Sequence, residues 1–214
     1  MDMLAESLRK IYEESNVDAL FIEQDFLRAY LTGFSSTDGF VVLDRDFCTL
    51  VVDSRYFEAA EKVLKGGNIR VVEGSYKTAL ELLQGKKTLG VAYPFTTAAR
   101  YLALSEASFS LSDCMPALKK AMLFKSEAEI SLIRKACEIA EDALLALLPE
   151  LKEGMKEKDV AGLLEYKMRL LGASGTSFDT IVAFGENGSV PHHETGDRKL
   201  SFGDPVLIDF GCKF

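Results

Sequence analysis

The stretch SFDTIVAFGENGSVPHHETGDRKLSFGDPVLIDFG, residues 177–211, decides how this chain is read. Two short runs, residues 178–185 and 204–211, are rich in β-branched and aromatic residues and end in glycine, which predicts two strands. The polar segment between them carries both histidines of the protein, His192 and His193. The apolar part of the second run closes on an acid, Asp209, and the chain stops five residues after it.

Working outward, residues 126–149 predict a long helix. Ser126 is a candidate cap with Glu129 three residues on. Ile130, Ile133, Cys137, Ala140, Leu144 and Leu147 form its expected buried stripe, and Pro149 ends it. Residues 157–172 predict a second helix, with Val160, Leu163, Leu164, Met168 and Leu171 on one side and Gly172 as C-cap.

Before this the grammar differs. Leu4, Leu8, Ile11 and Tyr12 have helical spacing, and residues 18–24 read as a strand. Residues 39–64 give a strand, a turn around Asp44 to Asp46, a second strand, and a helix N-capped by Ser54, with Phe57 and Ala60 opening its apolar face. Residues 68–74 and 88–95 are further strands separated by a helix over 78–85, and 96–107 is another capped helix. Alternating strands and helices imply an α/β layer with a mixed sheet. A boundary is expected near residues 116–125, giving domains 1–120 and 121–214.

The composition is that of a globular protein: 214 residues, 48% hydrophobic and 27% charged, with 5 Pro and 16 Gly. The net charge of −8 argues against non-specific nucleic-acid binding, which needs a basic face. Cys48, Cys114, Cys137 and Cys212 form no CxxC pair and read as free buried thiols in a reducing compartment. The first 15 residues hold no apolar leader segment, and no run approaches the roughly 20 apolar residues that span a bilayer. A soluble cytoplasmic protein with no membrane partner is expected.

Three features could carry chemistry. Adjacent histidines in a polar loop are either simply solvated or able to exchange protons near neutral pH. Asp209, closing an apolar strand, is either a turn acceptor or a hard oxygen ligand for a divalent metal. One acid cannot hold a catalytic metal, which usually needs about three protein ligands. FGENGS, residues 184–189, follows a strand but lacks a following helix pattern or a Walker lysine, and is not read as a phosphate loop.

These motifs resemble a known family. Residues 177–211 are similar to the first half of the catalytic pita-bread domain of Xaa-Pro aminopeptidases and prolidases. FKSEAEISLIRKACEIAEDAL resembles the helix that opens that domain, and YLTGF and TLVVDSRYFEAA are similar to its creatinase-type N-terminal domain. The resemblance implies a creatinase/ribonuclease-H-like α/β domain followed by an incomplete α+β pita-bread domain. It implies that Asp209 is the first acid of a two-metal site (manganese, cobalt or, in some members, zinc) that in family members is completed by a second Asp, a His and two Glu. His192, directly after Pro191, matches the histidine that contacts substrate and steadies the tetrahedral intermediate, whereas His193 matches no assigned role. Implied partners are Xaa-Pro peptides or dipeptides and a second copy in a homodimer. The family's other four ligands fall beyond GCKF, so the chain is expected to be a cut piece that cannot hold the metals and hydrolyses nothing. An apolar face around Ile181 and Leu207 should then be open, leaving a second half that dimerises, swaps elements or is poorly stable. A metal-free creatinase-like hydrolase and a non-catalytic dimerisation or binding relative are the alternatives.

Overall fold

Residues 5–214 are described by the computed structural model, and they divide into two units between Phe124 and Lys125. The first unit runs α1 (Glu6–Ser15), β1 (Ala19–Ile22), α2 (Asp25–Thr32), β2 (Phe40–Asp44), β3 (Cys48–Val52), α3 (Ser54–Leu64), β4 (Ile69–Glu73), α4 (Tyr76–Glu81), β5 (Thr88–Val91), α5 (Ala98–Glu106), β6 (Ser110–Asp113) and α6 (Met115–Leu123). Its strands form one mixed sheet in the order β4-β3-β2-β1-β5-β6. The β1–β2 and β2–β3 pairs are antiparallel and the outer pairs parallel.

Strands β1 and β3 are buried along their whole length, as expected of a sheet covered on both faces. Side chains alternate between those faces. Leu20, Ile22, Leu43 and Leu50 join Leu8, Ile11, Leu27 and Leu118 in one core. Phe21, Val42, Val51 and Leu89 join Ala79, Leu83 and Leu104 in the other.

Several local readings need correction. The N-cap of α3 is Asp53, whose carboxylate accepts from the Arg55 N–H at 2.9 Å; Ser54 is already helical. Asp44 closes the β2–β3 turn by accepting from the N–H groups of Asp46 and Phe47. Helices α2 and α6 and strand β6 were not legible in the sequence pattern. Leu4, part of the first expected helix face, lies outside the described residues.

The second unit holds α7 (Glu127–Leu147), α8 (Glu157–Leu170), β7 (Gly175–Thr176), β8 (Ile181–Phe184), β9 (Val206–Asp209) and β10 (Cys212–Lys213). Helix α7 starts in the expected capping box: Ser126 Oγ accepts from the Glu129 N–H, and the Ser126 N–H donates to Glu129 Oε2. Its expected stripe is only partly correct. Burial falls on Ile139, Ala143 and Leu147, while Ile133 and Cys137 are exposed. The physical reason is coverage: the core of Val160, Leu164, Met168, Val182 and Phe184 reaches only the C-terminal half of α7.

The hairpin-like pair β8–β9 is antiparallel, with Ile181 opposite Asp209 and Phe184 opposite Val206. Val182, Ala183 and Phe184 are buried, so the expected open apolar face is confined to β9, where Val206 and Leu207 are exposed. Among the described residues two strands make this sheet, so β9 is an edge. The cysteines also differ from expectation. Cys48 and Cys114 are buried, and burial pushes their thiols up to about 12. Cys137 is exposed and Cys212 half-buried, its Sγ–H donating to the Ala136 carbonyl at 3.3 Å. Among the described residues no helix is long and apolar enough to cross a membrane.

The burial contrast sets a testable difference between the two Leu positions of the second unit. Leu164→Ala should cost about 2–5 kcal/mol in urea unfolding, whereas Leu207→Ala should cost under about 1 kcal/mol. Equal costs would contradict the described packing.

Candidate functional site

Strand β8 leads into a polar excursion, residues 185–199, that carries both histidines and returns toward β9. The excursion is organised by a residue that sequence reading did not single out. Glu157, the first residue of α8, is 0% exposed. Its Oε1 accepts from the Phe184 N–H at 2.9 Å and from Asn187 Nδ2 at 2.8 Å. Its Oε2 accepts from the Gly196 N–H at 3.0 Å and from His193 Nε2 at 2.9 Å. With an ionised carboxylate as acceptor, His193 Nε2 carries the proton. Burial pushes the Glu157 carboxyl up, but the donors from Asn187, His193, Phe184 and Gly196 outweigh it and hold the group at about 2. The helix N-terminus also favours the negative charge.

Main-chain pairing fixes the same corner. The Glu157 N–H donates to the Arg198 carbonyl at 3.1 Å and the Lys158 N–H to that of Gly196 at 3.2 Å. Thr195 Oγ1 accepts from the Val182 N–H and donates to the Thr180 carbonyl. Arg198 forms a second clamp: Nε donates to the Phe184 carbonyl at 2.8 Å, and the guanidinium pairs with Glu186 and Asp204. Gly185 has φ 54, so a side chain there would strain the backbone and push aside the Arg198 guanidinium and the Asp204 carboxylate.

His192 and Asp209 both have exposed side chains. His192 sits in the left-handed region with φ 55, uncommon for a residue bearing a Cβ. Asp209 closes β9; the expectation that it terminates a buried strand is corrected, because the face that would bury β9 is open. Among the described residues no three His, Cys, Asp or Glu side chains come together to hold a metal ion. The residues present therefore do not fit a metal centre; they supply one carboxylate at a strand end. FGENGS forms a short 3-10 turn, Gly185–Ser189, and its Asn187 serves Glu157. The one sequence signal for Glu157 was an acid in the first turn of a helix, which ordinarily marks a solvated residue.

The family of a six-stranded mixed α/β unit followed by a two-helix unit with this hairpin is given by its likeness to known proteins. The chain belongs to the creatinase/prolidase family: residues 5–121 match the Creatinase/Prolidase N-terminal domain, and residues 131–214 match the model of Metallopeptidase family M24. It is 34% identical to the uncharacterized peptidase YqhT of Bacillus subtilis, over 99% of this chain and 62% of that one. It is 31% identical to the Xaa-Pro dipeptidase of Pyrococcus furiosus, over 98% of this chain and 60% of the relative. The solved prolidase structure from Pyrococcus furiosus superposes with a TM-score of 0.88 at 31% identity, covering 98% of this chain and 66% of that one. The chain thus spans about 60% of the length of these relatives.

The lowered Glu157 carboxyl makes stability depend on pH with a definite sign. A depressed folded-state value contributes stability that is complete above the ordinary value of 4.5 and is lost as pH falls toward about 2. Glu157→Gln should cost roughly 3 kcal/mol at pH 7 by breaking a buried charged network. The gap between wild type and variant in denaturant unfolding should shrink steadily between pH 5 and about pH 2. A gap that stays constant over that range would show that the charge is not what the four donors hold.

Proposed function

We propose that this chain is the portion of an Xaa-Pro-cleaving peptidase that carries the substrate-contacting histidine, His192, and the first metal carboxylate, Asp209. The observation that carries the reading is the likeness to the Xaa-Pro dipeptidase of Pyrococcus furiosus over 98% of the chain. In this reading residues 1–120 are the creatinase-type N-terminal domain and residues 121–214 the N-terminal half of the pita-bread domain. The substrates are Xaa-Pro dipeptides or short peptides whose N-terminal residue precedes proline, and the working form is a cytoplasmic homodimer.

The residues of this chain do two things in such a site. His192, exposed at the turn of the excursion, offers an imidazole N–H to the scissile carbonyl oxygen and to the negative charge that develops on it. Asp209 would be one hard oxygen donor to a divalent ion, manganese, cobalt or zinc, and could not hold it alone. Its companion donors have to come from outside these 214 residues, so the 214-residue chain alone is read as hydrolytically inactive.

Release of proline from a leucyl-proline dipeptide checks this reading, with the 214-residue chain compared with a polypeptide of its relatives' full length. The longer protein should hydrolyse the dipeptide with added manganese. Asp209→Ala should lower kcat/KM by at least about 100-fold, and His192→Ala by about 100-fold or more. Hydrolysis by the 214-residue chain that survives Asp209→Ala would overturn it.

A further inference from the structure

The two adjacent histidines have opposite surroundings. His192 is exposed, whereas the side chain of His193 is only 15% exposed and ends on the fully buried Glu157. An ionised carboxylate offers about four lone-pair sites, and Glu157 has four donors on its two oxygens. It has no capacity left to take a proton from a substrate or a water. Its role is therefore geometric.

We infer that Glu157, acting through His193, is a positioning residue that fixes the backbone from which the His192 imidazole projects. The inference rests on the reading of His192 as the substrate-contacting histidine. Four facts carry it. The donors to Glu157 bracket His192 along the chain, with Asn187 before it and His193 and Gly196 after it. Glu157 is itself fixed, since it begins α8 and its N–H is bonded to the Arg198 carbonyl. The left-handed backbone at His192 is unfavourable for a residue with a Cβ and persists only where its surroundings over-determine it. Releasing His193 from Glu157 would leave a buried charge short of a donor, so the anchor resists opening.

Because the protein has 2 histidines, long-range proton–nitrogen NMR with nitrogen-labelled histidine resolves each ring in the 214-residue chain. His193 should show a protonated Nε2 with slow exchange. Glu157→Gln and His193→Leu should erase that signature and move the His192 ring signals to those of a free histidine. His193→Gln, which keeps a donor of similar reach, should restore the His192 signals. In the full-length protein, His193→Leu should lower kcat about 10- to 100-fold with KM within about twofold, and His193→Gln should recover most of the rate. Should Glu157→Gln fail to fold, the two His193 variants decide the matter. Unchanged His192 signals in His193→Leu, or a lowered Tm with unchanged kcat per folded molecule, would reduce the pair to a structural brace and overturn the inference. If full-length wild type does not cleave Xaa-Pro bonds, the functional reading falls, while the NMR comparison still decides whether Glu157 orders His192.

Discussion

The carboxylate of Glu157, without exposed surface and held by donors from three separate places in the chain, is the interaction on which the second unit's polar region depends. Taking a carboxylate out of water costs several kcal/mol. Charge-assisted hydrogen bonds, each stronger than a neutral one, offset that cost only if all of them form together. The excursion between β8 and β9 is therefore cooperative: Phe184 at its start, Asn187 in its first turn, and His193 and Gly196 on its return are tied to one atom group at the start of α8. A fifteen-residue, mostly polar segment without strand or helix of ordinary length would otherwise be free to sample many conformations. Here it presents one histidine outward and turns the other inward.

The first unit uses a buried charge in a comparable way. Arg28, 2% exposed, donates to the carbonyls of Glu23 and Ser36 and so fixes the turn that follows α2. Burial lowers the guanidinium from its ordinary value. Gly39, at the end of that turn, has φ 135, and a Cβ there would stand 2.7 Å from the Val51 carbonyl, so the chain passes this point only as glycine. In both units the regular elements supply the apolar core, and one desolvated charge specifies the irregular segment that the core cannot.

What the sequence made legible follows from the range of the interactions involved. The capping box at Ser126, the buried Val160, Leu164 and Met168 of α8 and the strands at residues 181–184 and 206–209 are local patterns, and they stand where the spacing puts them; the end of α8 does not, since Leu171 is exposed and takes the C-cap position expected of Gly172. The stripe of α7 was misjudged because periodicity says which residues share a face and not how far the covering layer extends. Asp209 was read as ending a buried strand because Val206 and Leu207 are apolar, yet burial belongs to the partner layer and β9 is an open edge. Glu157 was invisible for a related reason. Its donors lie 27 to 39 residues away in sequence, so nothing near it distinguishes it from a solvated acid in a helix's first turn. The inward histidine matched no role that the resemblance implies, and only its partner explains it.

Amide hydrogen exchange of Gly196 tests this account most directly. That N–H lies in a polar loop with no ladder partner, and its acceptor is the buried Glu157 carboxylate. If Glu157 organises the region, Gly196 exchanges as slowly as the Val182 amide inside β8 and loses protection together with Phe184 when Glu157 is replaced by Gln. Exchange of Gly196 in wild type at the rate of an unprotected loop amide would contradict it.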